Sequence, residues 1–328
     1  MTSKRFLPLP LAGEGRGEGK PLAAAFVFLV LFTGACGNYS NEDLEFMNAV
    51  PAREDLAANM PRSMILPANE AELSRDTHDV IRTFNGALDF LNAADVIRTY
   101  QPTSRIPNGR IWGPFPMRDH DGWQWQFRMT RDPAAAEEMF QYVFEVEPIG
   151  AGENGWLTFI DGWFIPTGGG ARRGVGFFHM QTDNLRTASF PILPDADQNI
   201  FSDLKVMYST ASFPVSVTMT LVLFPKGDLT NTVTIVFHYE QQENGQGAME
   251  FSGTDSKTGA SLSVTSHWLA SGAGRAEATA QDGMGAGATW VECWNDQFMS
   301  VYDNKPWAVA PDPVTTGDPA LCPDISTL

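Results

Sequence analysis

The chain has 328 residues, with 22 basic against 39 acidic side chains and a formal net charge of −17. That balance repels a phosphate backbone and offers no basic face to anionic lipid, so nucleic-acid binding is not expected. Three cysteines without a C-x-x-C pair leave zinc and dithiol-redox centres short of ligands.

Residues 1–35 read as an export signal. Pro21–Phe32 is apolar and uncharged, follows Lys4, Arg5, Arg16 and Lys20, and falls short of the roughly twenty residues that span a bilayer. Pro8–Gly19 has the character of a translated repeat, with a later start as the alternative. Thr33-Gly34-Ala35 places small residues before Cys36, as in a lipobox, although Thr33 stands where leucine is usual. The expectation is a diacylglycerol on the Cys36 thiol. The alternative is ordinary signal-peptidase cleavage at the same bond. Gly37 after the cysteine fits sorting to the outer membrane. Cys293 and Cys322 then remain, and export favours their oxidation to a disulfide worth roughly 3–4 kcal/mol in chain-entropy terms. Two free thiols are the other possibility.

Residues 36–68 are polar and read as a tether with a short helix near Glu42–Asn59. Over residues 69–101, Leu73, Val80, Ile81, Phe84, Leu88, Leu91, Ala94 and Ile97 recur at three- and four-residue steps, which predicts one long amphipathic helix. Asn69 serves as its N-cap, Glu72 completes a capping box and Pro102 ends it. Gly86 weakens its middle, and His78 is expected on its exposed side.

Near Arg110 the period changes to two. Trp123, Trp125, Phe127 and Met129 alternate with polar residues, as do Val215–Leu223 and Val233–Tyr239. Further strands are expected at 140–146, 156–164, 175–181, 205–209, 249–253, 262–268, 276–280 and 289–294. Short turns at 225–228, 243–245 and 257–259 demand antiparallel neighbours. Residues 102–302 thus predict a mainly β domain: a strongly curved antiparallel meander or barrel of about eleven strands, with the helix packed on or in it. Residues 303–328 read as a Pro-rich tail.

The candidate sites are sparse. Trp123, Trp125, Trp156 and Trp163, in a region that also holds Trp112, are candidates to line an apolar cavity or a sugar platform, against the plainer role of core filling. Arg172 and Arg173 sit in a glycine-rich loop suited to clamping a carboxylate or phosphate. Asp195, Asp197, Asn199 and Asp203 have calcium-loop spacing, but Ile200 and Val206 occupy the positions an EF-hand gives to glycine and glutamate. His120, between Asp119 and Asp121, is a candidate base or ligand in what also reads as an ordinary turn. His179, His238 and His267 lie in three different strands and form an open zinc site only if those strands converge. The nucleophile-elbow, H-E-x-x-H, P-loop and dinucleotide motifs are absent from the sequence. No cofactor is expected, and an enzyme is less expected than a binding protein.

The stretch Gln101–Phe115 (QPTSRIPNGRIWGPF), the preceding FNGALDFL and the later SGAGRAEATAQDG and VECWNDQFMSVY together resemble a family of myxobacterial-type lipoproteins, in which a long helix precedes a β-rich domain. The resemblance implies export and a single domain over residues 75–305. It implies no activity, so no catalytic residue is carried over. The architecture, without any sequence motif, is also similar to periplasmic lipoprotein-carrier and lipocalin-like proteins. The resulting expectation is an outer-membrane lipoprotein without enzymatic activity, anchored by its lipid, binding an apolar small molecule or a protein partner through the sheet. Its alternatives are a surface-interaction lipoprotein with a filled barrel and a secreted hydrolase or lyase built on His120.

Overall fold

The computed structural model describes residues 39–61, 70–94, 96–117, 120–132, 137–152, 155–167, 169–183, 185, 188, 200–224, 228, 230–255, 261–281, 286–306 and 314–325. Cys36, Asn69, Asp119, Asp195, Asp197 and Asn199 lie outside the described residues. Helices come first: α1 (Asn41–Asn48), α2 (Arg53–Leu56), α3 (Glu72–Ala87), α4 (Leu91–Ala94) and α5 (Val96–Thr99). Fifteen strands follow: β1 (Ser104–Ile106), β2 (Gly109–Pro116), β3 (Trp123–Asp132), β4 (Met139–Pro148), β5 (Leu157–Pro166), β6 (Gly174–Gln181), β7 (Ile200–Ser209), β8 (Val215–Phe224), β9 (Val233–Gln241), β10 (Gly247–Asp255), β11 (Ser261–Trp268), β12 (Gly274–Ala280), β13 (Thr289–Trp294), β14 (Ser300–Asn304) and β15 (Thr315–Gly317).

The strands pair in strict chain order, each antiparallel to the next, so β1 and β15 are the two edges of a single open sheet. Three expectations are corrected here. The strands number fifteen rather than eleven, the four additions being the two at each edge. The sheet is open and not strongly curled. The single helix over 69–101 is three pieces, and α3 starts after Ala71, which has no capping side chain. Asn85 turns its amide onto Ala58, accepting that residue's N–H at 2.8 Å and donating to its carbonyl at 2.9 Å. With Gly86 next in line, both weak helix formers, α3 ends within two residues.

Strand alternation follows from burial on one face. In β8, Val215, Val217, Met219, Leu221 and Leu223 are buried while the residues between them are not. Large rings on this face sit beside glycines of the neighbouring strand. Gly162 pairs near Tyr142, Gly176 faces Tyr208, and Gly247 and Gly274 flank Trp268. A Cβ on Gly176 would lie 2.2 Å from the Tyr208 ring. Missing side chains and oversized ones therefore interlock, which brings the layer to interior density.

The helices cover this buried face. Phe46 of α1 meets Phe140 edge-on at 5.2 Å, Phe84 of α3 meets Phe237 and Tyr239 at 5.8 and 5.9 Å, and Phe90 meets Phe178 at 4.8 Å. The segment expected as a tether thus contributes packed residues from α1 onward, with Phe46 and Leu56 fully buried. The segment expected as a tail completes β14 and contributes β15 and a turn of 3-10 helix at Pro319–Leu321. The Cys293 and Cys322 sulfurs lie 2.16 Å apart, tying that segment to β13.

Candidate functional site

The void among Val50, Phe90, Leu91, Phe127, Tyr142 and Phe178 measures about 20 Å³, close to the room one water needs and far below that of an organic ligand. Two carboxylates that reach this layer hold helices. Asp43 is fully buried at N3 of α1, where its carboxylate and Ser40 form a reciprocal cap. Burial alone would raise its pKa. Hydrogen bonds from Arg105 at 3.0 Å and Arg110 at 2.6 Å, together with the Ser40 N–H, instead hold it well below the usual carboxylate range. Glu292 of β13 supplies the cap that Ala71 lacks, accepting the Leu73 N–H at 2.6 Å. Burial, the dominant cause, pushes the Glu292 carboxyl up to about 7.

Open space lies at the other end of α1. A cleft of about 390 Å³ is bounded by Glu45, Asn48 and Ala49 on one side, by Glu138 and Phe140 at the start of β4, and by Phe164, Pro166, Thr167 and residues 169–173 of the β5–β6 turn. Its floor is apolar, since Phe140 and Phe164 are 2% and 1% exposed. The turn closes through Thr167 N–H to Arg173 O at 2.9 Å and Arg173 N–H to Gly170 O at 3.2 Å. Arg172 sits there at φ 58°, a left-handed conformation that costs an L-residue energy and needs support from its surroundings. Support comes from Asp55 of α2, which accepts from Arg172 Nε at 2.7 Å, and from Thr210, whose hydroxyl donates to the Arg172 carbonyl at 2.8 Å.

The two walls differ in charge. Arg173 donates to the Thr210 carbonyl at 3.1 Å and stacks over Phe213 at 5.6 Å, and it pairs with no carboxylate among the described residues. Opposite, the one guanidinium of Arg131 is shared by Glu42, Glu45 and Glu138, each at 3.0 Å. Thr167 lines the cleft, but its hydroxyl oxygen is buried out of reach of the open space and has no hydrogen-bond partner among the described residues. An apolar floor flanked by charged side chains suits reversible binding of a small polar molecule.

The remaining predicted residues do not assemble. Trp125 stacks on Phe144 at 5.5 Å in a cluster with Trp123, near the strand ends farthest from this cleft. Trp156 is half-buried just before β5. Trp163 belongs to the opposite face, stacked with Phe177. The tryptophans therefore line no common cavity. Asp203, the described member of the calcium-spaced set, bonds His179 at 2.6 Å. His238 is held by Thr218 and Glu240, burial lowers the pKa of His267, and no metal-binding group of His, Cys, Asp and Glu exists among the described residues. His78 is buried rather than exposed, with a ring nitrogen 3.1 Å from the Pro61 carbonyl. His120 lies in the β2–β3 turn, three strands from His179 and eight residues before Arg128, the β3 residue level with it, which places the two more than about 20 Å apart by ladder geometry. Arg172 is at the opposite strand ends, so His120 converges with neither.

Sequence reasoning found Arg172 and Arg173 but missed Glu292, Asp43 and Thr167. One signal was present: Glu292 holds the inward position between Trp290 and Trp294 of β13. Asp43 was legible only as a cap, because its arginine partners are more than sixty residues away. No family model matches this chain, and neither a curated protein nor a solved structure is similar enough to it to support a comparison.

Proposed function

We propose that the chain is an exported, lipid-tethered binding protein that performs no covalent chemistry, and that its ligand site is the open cleft between α1 and the β5–β6 turn. One observation carries the choice of site: the void beneath the helices around Phe90 and Phe178 holds about 20 Å³ where the cleft offers about 390 Å³. Export is supported by the Cys293–Cys322 pair, since such bridges persist in oxidising compartments. The apolar run before Cys36 supports processing and acylation there. The small size of that void also favours the surface-interaction reading over an internal carrier for lipid.

Native mass spectrometry of the protein purified from its own envelope tests this proposal. The expected species starts at Cys36, carries a diacylglyceryl mass and one disulfide, and retains a small polar molecule. An unprocessed chain recovered from the cytosol would overturn the export reading. A long-chain lipid held noncovalently would overturn the choice of cleft.

A further inference from the structure

A lipid on Cys36 would leave very little chain between the membrane and the folded body. We propose that the end of the sheet around α1 and the β1–β2 hairpin, with Leu44 and Ile106 foremost, rests directly on a bilayer of zwitterionic lipid, an inference that rests on acylation of Cys36.

The length of chain sets the contact. Gly37 and Asn38 alone separate Cys36 from Tyr39, the first described residue. Three peptide steps cover at most about 11 Å. An acylated thiol sits at the glycerol level, beneath a headgroup layer roughly 5–8 Å thick. The chain therefore clears the headgroups by only a few ångströms before the fold begins. Ser40 accepts the Asp43 N–H at 3.1 Å and donates its own N–H to the Asp43 carboxylate at 3.0 Å, and Arg105 and Arg110 grip that carboxylate. Phe46 is fully buried against Phe140. α1 is thus fixed to the sheet from its first turn and supplies no stalk.

Two large apolar side chains stand beside this entry. Leu44 follows Asp43 and Ile106 follows Arg105, the two partners of one ion pair at 3.0 Å. Leu44 is 44% exposed and Ile106 42%, and the half-buried Tyr39 brings an amphipathic ring to the same region. Because the strands pair in chain order, the turns after β1, β3, β5 and β7 lie at one end of the sheet, and Phe213 in the turn after β7 is also exposed there. Charge decides the lipid. The arginines nearest the entry are spent on carboxylates: Arg105 on Asp43, Arg110 on Asp43 and Glu42, and Arg131 on Glu42, Glu45 and Glu138. A net charge of −17 repels anionic headgroups, so a neutral interface is the one that Leu44 and Ile106 can enter.

The test uses the acylated mature chain in vesicles of phosphatidylcholine and, in parallel, of phosphatidylglycerol, each with a share of brominated lipid that quenches on contact. A fluorophore is placed by Ile106→Cys or Ile149→Cys, with the Cys293–Cys322 bridge left oxidised. Ile149 is as exposed as Ile106 but follows β4, whose ten residues carry it roughly 30 Å to the opposite strand ends. In phosphatidylcholine the probe at 106 is expected to lose most of its emission and the probe at 149 none. Leu44→Glu should keep the anchor and the urea midpoint and cut the quenching at 106 severalfold. Absence of quenching at 106, or equal quenching at 106 and 149, on a chain whose mass includes the diacylglyceryl group would overturn the seating and leave the anchor intact. Quenching at 106 that is indifferent to Leu44→Glu would overturn insertion of these side chains, and quenching confined to phosphatidylglycerol would overturn the zwitterionic class. A mature chain without the diacylglyceryl mass would overturn acylation and the seating with it.

Discussion

Substitution of Glu292 by glutamine tests how the helical layer is held on the sheet. The carboxyl is 3% exposed, and its oxygen lies 2.6 Å from the Leu73 N–H at the start of α3. Burial lifts its pKa from 4.5 to about 7, and the hydrogen bonds from Leu73 and Ser300 offset that only in part. The folded protein therefore holds a proton that the unfolded chain releases. Stability from this group is fully present below the unfolded value and is lost as pH rises through about 7. The displacement corresponds to roughly 3 kcal/mol. Glutamine keeps a carbonyl oxygen for the Leu73 N–H and does not titrate. Urea unfolding of parent and Glu292→Gln from about pH 4.5 to about pH 8 should show similar stability at the acid end and a variant more stable by up to roughly 3 kcal/mol at the alkaline end. Asp76, raised to about 6 chiefly by burial, leaves a residual decline at lower pH in both proteins. Parallel pH profiles for parent and variant would refute the buried cap.

The other end of the layer should respond with opposite sign. Asp43→Asn leaves the buried Arg110 with Glu42 as its remaining carboxylate and should cost about 1–3 kcal/mol by denaturant titration, and the parent's advantage should fade below about pH 4 because the native carboxylate resists protonation. Gly176→Ala drives a methyl into the Tyr208 ring and should lower stability by about 1–3 kcal/mol in thermal unfolding, whereas an unchanged midpoint would contradict the glycine–aromatic interlock. Cys322→Ser should open residues 314–325 to limited proteolysis and remove roughly 3 kcal/mol, while equal protease resistance would mean β15 holds without the bridge.

Much of the sheet was legible because one face is buried. That forces alternation on strands such as Val215–Leu223, and turns too short for crossovers then fix antiparallel order. The edges were not legible. β1 and β15 have three residues each, and β2 contains Gly113, Pro114 and Pro116, which read as loop although the strand bulges around them. The apolar stripe over 69–101 was real, but periodicity does not report a break when the turn after α3 keeps Leu88 and Leu91 buried. The cleft was half legible. Arg172 and Arg173 stood out as a charged glycine-rich turn, while Glu45, Glu138 and the ring floor come from segments far apart in sequence that only strand register brings together. The tryptophan cluster misled because alternation and the β5 bulge send Trp163 to the opposite face from Trp125.

The account turns on where a ligand goes: into the open cleft or under the helices. Amide hydrogen exchange of the full mature chain, as purified with its retained small molecule and again after that molecule is dialysed away, addresses that directly. Slowed exchange confined to residues 45–49, 138–140 and 164–174 is the predicted result. Slowed exchange in α3 and in β8–β11 beneath it, with the cleft unchanged, would contradict it.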